Sequence, residues 1–216
     1  MQTIVVVDDH PIVRQGLIRL IASEPDLRVV GEAEDSDSAL EVVRAELPSL
    51  VLVDLSLKNS SGIELIKDIA TMLPASRVLV VSLHEESIYA ERALRAGARG
   101  FIMKSEAIDN VLVAIKEVVA GNIYLSPSLK SKLLGLQFSH QGSAKTTTGI
   151  ESLSDREVEV LQLLGEGKGP GIIAQALNLS VKTVETYKSH IKQKLNLNDT
   201  TALVQYAVKF CLDKNL

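Results

Sequence analysis

Four short runs of apolar, largely β-branched residues recur along the first half of the chain: Ile4–Val7, Leu50–Val53, Val78–Val81 and Phe101–Met103. Unbroken runs of this length read as strands buried on both faces, as in a parallel sheet. Between them, apolar positions return every three or four residues, the helical period. The pattern predicts strands at Thr3–Val7, Arg28–Ala33, Leu50–Val53, Arg77–Ser82 and Gly100–Met103. It predicts helices at Pro11–Ser23, Asp37–Glu46, Gly62–Met72, Ser87–Ala96 and Glu106–Ala120. Such alternation is the signature of a doubly wound α/β domain with a five-stranded parallel sheet. Local punctuation agrees. Pro11 suits a first helical turn, Ser36 is a candidate N-cap, and Gly97 and Gly121 stand where helices should stop.

The stretch Phe138–Gly149 (FSHQGSAKTTTG) is polar, small and aperiodic, the composition of a linker. Beyond it the pattern is purely helical. Ser154 and Glu157 have the spacing of a capping box, followed by an apolar stripe of Val158, Leu161, Leu163 and Leu164. A short helix is expected from Pro170 to Leu177, then a tight Asn178-Leu179-Ser180 turn with Ser180 as the next N-cap. The following helix should run to about Asn196 and bury Val184, Tyr187, Ile191 and Leu195; a last one spans Thr200–Leu212. The expected organisation is therefore an α/β domain over 1–125, a linker over 126–151 and a small all-α, four-helix domain over 152–216.

Composition narrows the class. Apolar residues make up 46% and aromatics 3%, so the core must be aliphatic. No apolar run reaches membrane-spanning length, the N-terminus lacks signal-peptide features, and the one cysteine, Cys211, excludes an intrachain disulfide. A cytoplasmic protein with no membrane association is expected. The net charge of −4 is unevenly spread. Residues 1–126 carry 12 basic and 19 acidic side chains, whereas residues 151–216 carry 8 of each. An acidic front half repels nucleic acid. The basic stripe is Ser180–Leu195, with four lysines against one glutamate, and DNA contact is expected there.

The chemistry-bearing residues follow the strands. Asp8 and Asp9 come after the first, Asp54 after the third, Ser82 at the end of the fourth and Lys104 after the fifth. Side chains just past the carboxyl ends of parallel strands meet in one crevice. Asp9, Asp54 and a backbone carbonyl just after Asp54 offer oxygen ligands that suit Mg2+. Asp54 is a candidate nucleophile toward phosphorus, with Lys104 neutralising phosphoryl charge and Ser82 donating a hydrogen bond. Each residue alone is as well explained by helix capping or surface charge; their joint placement is the informative feature.

The segments VVVDDHPIVRQGL, VLVDLSLKNSSGIEL, VLVVSLHEES and ARGFIMKSEA resemble the receiver domain of bacterial two-component response regulators, a flavodoxin-like fold, over residues 1–125. The resemblance implies that Asp54 is the phosphoacceptor, charged by a sensor histidine kinase. It implies that Asp9 and the Ser56 carbonyl bind Mg2+ with help from Asp8, and that Ser82 and Phe101 form a switch pair. It puts Ser56 and His84 beside the attacking water of dephosphorylation. One departure is Leu57-Lys58, where the family often has Met-Pro.

LSDREVEVLQLL, IIAQALNLSVKTVETYKSHIKQKLNL and the final helix resemble the LuxR-type helix-turn-helix of the NarL/FixJ family over Ser152–Phe210. With Val184, Ile191 and Leu195 inward, the opposite face presents Lys182, Glu185, Thr186, Ser189 and Gln193. Glu185 and Thr186 suit base edges, and Lys182, Thr183, Lys188 and Lys192 suit phosphates. Gly169-Pro170-Gly171-Ile172 departs from the usual polar start of the scaffold helix, putting Gly171 where a phosphate-binding lysine is often found. The resemblance makes the last helix, with Leu203, Ala207, Val208 and Cys211, a dimer surface.

The expected function is a non-enzymatic response regulator: phosphorylation of Asp54 switches sequence-specific promoter binding and transcription, with a homodimer when phosphorylated or on DNA and RNA polymerase as a further partner. A phosphohydrolase of the haloacid dehalogenase type would need a second Asp where Ser56 stands. A nucleotide-binding regulator would need a Gly-rich loop after the first strand, where Asp8-Asp9-His10-Pro11 stands. A protein-interaction tail remains the alternative for residues 152–216.

Overall fold

A computed structural model describes residues 1–57, 60–84, 86–127, 129–131, 149–177 and 179–212. The expected linker positions 138–148, Lys58 of the Leu57-Lys58 departure and Asn178 of the tight turn lie outside the described residues. The chain divides into two compact units, Met1–His140 and Gln141–Leu216.

In the first unit the chain runs β1 (Gln2–Val7), α1 (Pro11–Ile21), β2 (Leu27–Ala33), α2 (Ser36–Glu46) and β3 (Leu50–Val53). It continues through β4 (Ser56–Leu57), β5 (Ser60–Ser61), α3 (Gly62–Met72), β6 (Arg77–Ser82), α4 (Glu86–Ala96), β7 (Gly100–Met103) and α5 (Lys104–Val119). Five strands form one parallel sheet in the order β2-β1-β3-β6-β7. The alternating pleat divides its side chains between two faces. Ile4, Val6, Leu50, Leu52, Leu79, Val81 and Ile102 form one core with Leu17 and Ile21 of α1 and Val111, Ile115 and Val118 of α5. Val5, Val7, Val51, Val53, Val78 and Val80 are equally buried on the face that α2, α3 and α4 cover.

The five strands and five helices are where the sequence pattern places them, with local differences that have physical causes. Helix α2 starts at Ser36 because Asp35 caps it, its carboxylate accepting the Ser38 N–H at 2.9 Å; the Ser36 hydroxyl does not cap and is buried without a partner among the described residues. Helix α5 begins at Lys104, directly off β7 with no intervening loop. The short antiparallel pair β4–β5 carries no hydrophobic period and was not expected. Gly97 and Gly121 follow α4 and α5 at φ of +118° and +100°, where a side chain would be strained.

The second unit has a 3₁₀ turn (Ile150–Ser152) and helices α6 (Asp155–Gly165), α7 (Pro170–Ala176), α8 (Val181–Lys194) and α9 (Thr200–Leu212). The capping box on α6 is formed. Glu157 Oε2 accepts the Ser154 N–H at 2.6 Å, and Ser154 Oγ accepts the Glu157 N–H at 3.4 Å. Ser180 caps α8 by accepting the Thr183 N–H at 3.0 Å. Helix α8 stops at Lys194 rather than near Asn196, because Asn196 turns left-handed (φ +55°) and the Leu197 N–H closes back on the Lys192 carbonyl at 2.8 Å. Val158, Leu161, Leu164, Ile173, Val184, Ile191, Leu203, Ala207 and Phe210 form the interior. On α8 the buried line is Val184, Lys188 and Ile191; Tyr187 and Leu195, expected inside, are only half-buried.

Candidate functional site: an acidic crevice and a helical reading face

The chain leaves β1 toward one edge of the sheet and returns at β3 on the other side of β1, so the carboxyl ends of these neighbours open a crevice at a topological switch point. Val7 pairs with Val53, and the Asp54 N–H donates to the Val7 carbonyl at 2.9 Å, which sets Asp8 and Asp54 side by side. Both are 1% exposed. Lys104, at the start of α5, places its Nζ 2.7 Å from Asp54 Oδ2 and 2.7 Å from Asp8 Oδ2. Burial pushes the Asp54 carboxyl above its ordinary value; the Lys104 charge and hydrogen bond oppose this and the Asp8 charge adds to it. Burial works to lower the Lys104 ammonium, but its attraction to Asp54 and Asp8 wins and leaves it raised.

Among the described residues, Asp54 Oδ1 is buried with no hydrogen-bond partner. Ligand atoms of Asp8, Asp9, His10 and Asp54 all lie within 4.8 Å of one another. A buried carboxylate oxygen left open in a cluster of oxygen donors fits a hard divalent cation, so the residues present suit Mg2+. Of the three aspartates Asp9 is the most exposed, its side chain 24% accessible, and His10 at 48% is the most exposed of the four.

Several site residues were not singled out from the sequence. His10 brings its Nδ1 to 2.6 Å from Asp9 and 3.2 Å from Asp8, and its N–H donates to Asp8 Oδ1 at 2.8 Å. Its place directly after two aspartates was the available signal. Gly62 opens α3 beneath the site: a Cβ there would collide with the Asp54 carbonyl oxygen and the Leu55 Cα. Tyr89 of α4 is buried and its ring lies 4.4 Å from that of His84. His84 Nε2 in turn lies 2.9 Å from Ser56 Oγ, joining the loops after β3 and β6 over the crevice. Ser82 is fully buried, and its hydroxyl accepts the His84 N–H at 3.2 Å. Phe101 is 1% exposed within the sheet core.

In the helical unit, Lys182, Glu185, Thr186, Ser189 and Gln193 are exposed on one side of α8, with Thr183 and Lys192 half-buried. Thr183 Oγ1 lies 2.8 Å from the Ser180 hydroxyl, so this side chain belongs to the cap. Lys188 departs from the expected phosphate contact. It is 8% exposed, and its Nζ is held 2.8 Å from Glu185 Oε1. Its long aliphatic stem occupies a core position while the ammonium reaches out to a carboxylate. On α9, Leu203 and Ala207 are core rather than surface, and Val204, Val208 and Leu212 form the outward apolar line.

Comparison with known proteins decides the family. The family model described as the response regulator receiver domain matches residues 4–116, and that of the luxR family of bacterial regulatory proteins matches 151–207. The chain belongs to the response regulators of the NarL/FixJ type. It is 36% identical to the oxygen regulatory protein NreC of Staphylococcus aureus over 95% of this chain and 96% of that one. It is 33% identical to the transcriptional regulatory protein DegU of Brevibacillus brevis, over 95% and 92%. Among solved structures, the response regulator RcsB of Salmonella enterica serovar Typhimurium, bound to promoter rprA with phosphomimetic BeF3−, matches at a TM-score of 0.66 and 27% identity, covering 96% of this chain and 98% of that one. A LuxR-family response regulator from Aurantimonas matches at 0.60 and 35%, covering 64% and 99%. This response regulator therefore joins a receiver domain to a LuxR-type DNA-binding domain. Among the described residues, no helix is long and apolar enough to cross a membrane.

Proposed function

We propose that this regulator is phosphorylated on Asp54 by a sensor histidine kinase in the cytoplasm, and that the phosphoryl group switches its binding to promoter DNA. The observation that carries this reading is the Asp54 carboxylate itself: Oδ2 is tied to Lys104 while Oδ1 is buried and open. Asp8, Asp9, Asp54 and the Ser56 carbonyl are the ligands proposed for Mg2+, which when bound would shield the carboxylates from an incoming phosphoryl group. Asp54 attacks phosphorus through a carboxylate oxygen, and the phosphoryl passes from the kinase imidazole to give an acyl phosphate. Lys104 then exchanges its contact with Asp54 for a phosphoryl oxygen. Ser82 gives up its bond from the His84 N–H and turns its own O–H toward the same group. Phe101 repacks behind it.

Such a switch is a shift between two pre-existing receiver states, as large as the difference in their affinity for the phosphoryl group. Its output is a homodimer on DNA, with α8 in the major groove and the Val204, Val208 and Leu212 line of α9 against its symmetry mate; RNA polymerase is the downstream partner. The protein turns over no substrate of its own. The promoter-bound state of the RcsB structure supports this reading by likeness.

The test pairs wild type with Asp54→Ala, each incubated with Mg2+ and a small phosphodonor. Mass spectrometry and DNA binding over a salt series are the readouts. A phosphate-sized mass gain and tighter DNA binding are expected in wild type alone. No mass gain with either the phosphodonor or a histidine kinase would remove the phosphoacceptor role.

A further inference from the structure

We propose that Lys188 is a positioning residue for DNA sequence reading: it fixes the Glu185 carboxylate on the exposed face of α8 as the acceptor for a cytosine amino group. The inference rests on α8 being the recognition helix.

Three observations carry it. Lys188 falls between Val184 and Ile191 on the buried line of α8, at the helical spacing of a core position, and is only 8% exposed. Lysine is almost never buried without a partner, and here the partner is Glu185, one turn earlier, at 2.8 Å. Among the described residues only Oε1 of that carboxylate is engaged, and the Glu185 side chain is 52% exposed, which leaves room for a further donor. Finally, the neighbouring Thr186 donates its hydroxyl to the Lys182 carbonyl at 3.0 Å, one turn back, which leaves its methyl as the outward group. Two adjacent positions on the exposed face thus present a held acceptor and a methyl. These are the complements of a cytosine N4 amino group and a thymine C5 methyl in the major groove.

Physical chemistry separates this role from a phosphate contact. A lysine that neutralises a phosphate releases a counterion, strengthens binding to every sequence and steepens the salt dependence. A lysine locked against Glu185 inside the domain does neither. It removes the rotameric freedom of that carboxylate, so its effect centres on the base pair that Glu185 reads. An unheld glutamate would lose that freedom on binding.

The experiment uses full-length protein, treated with Mg2+ and acetyl phosphate. It selects from a duplex library randomised over two half-sites and titrates the selected duplex over a salt series. For Lys188→Met, which keeps the aliphatic stem, preference at one base-pair position per half-site should fall roughly tenfold while the salt slope stays that of wild type. Lys192→Ala is the contrast: weakened binding to all sequences and a slope shallower by about one. Glu185→Gln, which keeps a side-chain oxygen to accept from Lys188 Nζ, should move the preferred base at that same position from cytosine toward adenine, the base glutamine reads. The double variant Lys188→Met/Glu185→Ala should discriminate no worse than Glu185→Ala alone. A shallower salt slope in Lys188→Met with base preference intact would overturn the proposal, as would a Glu185→Gln profile identical to wild type. Wild type that enriches no duplex at all would instead remove the recognition-helix reading beneath it.

Discussion

At the scale of single residues, the acidic crevice is a balance among three buried charges. Asp8 and Asp54 repel each other, and Lys104 holds both. Replacing Lys104 with Met leaves two carboxylates buried and uncompensated; breaking such a cluster costs about 3 kcal/mol. The expected outcome at neutral pH without metal is a large fall in the urea midpoint of the receiver transition. The sign with pH follows from Asp54. Its folded value is already raised, so the folded state holds that proton more tightly than the unfolded chain, and loss of Lys104 raises it further. The deficit of Lys104→Met should therefore shrink as pH falls through the raised Asp54 value. Saturating Mg2+ should restore more stability to the variant than to wild type, since the cation then replaces the missing ammonium. An equal deficit with and without Mg2+ would show that the crevice residues do not hold the ion.

At the scale of elements, four of the five strands of the sheet were legible as continuous apolar runs, whereas β2 (LRVVGEA) is interrupted by charge and glycine. Their order along the chain was enough to bring Asp8, Asp54, Ser82 and Lys104 to the carboxyl end of the sheet. What was not legible depends on contacts that no local period encodes. The Asp35 cap on α2 could not be told from Ser36 by sequence, since both residues cap well. The need for Gly62 arises only where α3 presses on the Asp54–Leu55 backbone. The pair joining α6 to α8 is of the same kind. Glu157, 2% exposed, accepts from Lys194 Nζ at 2.6 Å as well as from the Ser154 N–H. Burial alone would raise its carboxyl, but the Lys194 hydrogen bond and those from Ser154 leave it lowered. A lowered carboxyl contributes stability that is present above its unfolded value, near 4.5, and is lost as pH falls through the folded value. Glu157→Gln is expected to destabilise the helical unit by about 1–2 kcal/mol at pH 7, discounted for the partly exposed Lys194. The difference from wild type should shrink as pH falls below about 4.5 and vanish only below the lowered folded value. Hydrogen exchange of the α6 and α8 amides in the full chain reads this directly, and a pH-independent difference would exclude the ionic contribution.

For the whole molecule, charge and function pull in different directions. The receiver half is strongly acidic and the helical domain carries equal numbers of both signs, so a single copy has little electrostatic attraction for a polyanion. The start of α7 accentuates this. Pro170 opens the helix after Gly169, Gly171 follows in open space, and Ile172 is 56% exposed where a polar residue would be unremarkable. The module thus carries no cation in the first turn of its scaffold helix, a turn whose free N–H groups and dipole already favour a phosphate. On the proposed function, low intrinsic affinity would make binding depend on two copies acting together and let phosphorylation control it through dimerisation. Gly171→Lys tests that chain of reasoning. A side chain at this position meets nothing within 4 Å, and lysine is a better helix former than glycine, so the fold should tolerate the change. One added phosphate contact per subunit should tighten binding to all duplexes and steepen the salt slope by about 0.9 for each copy bound. The dependence on phosphorylation should fall in proportion, because each copy then holds DNA better alone. Anisotropy titrations of phosphorylated and unphosphorylated protein over a salt series would measure both. If affinity and slope stay those of wild type, the α7 N-terminus does not face a phosphate, and the weak charge of this turn has no part in making the switch.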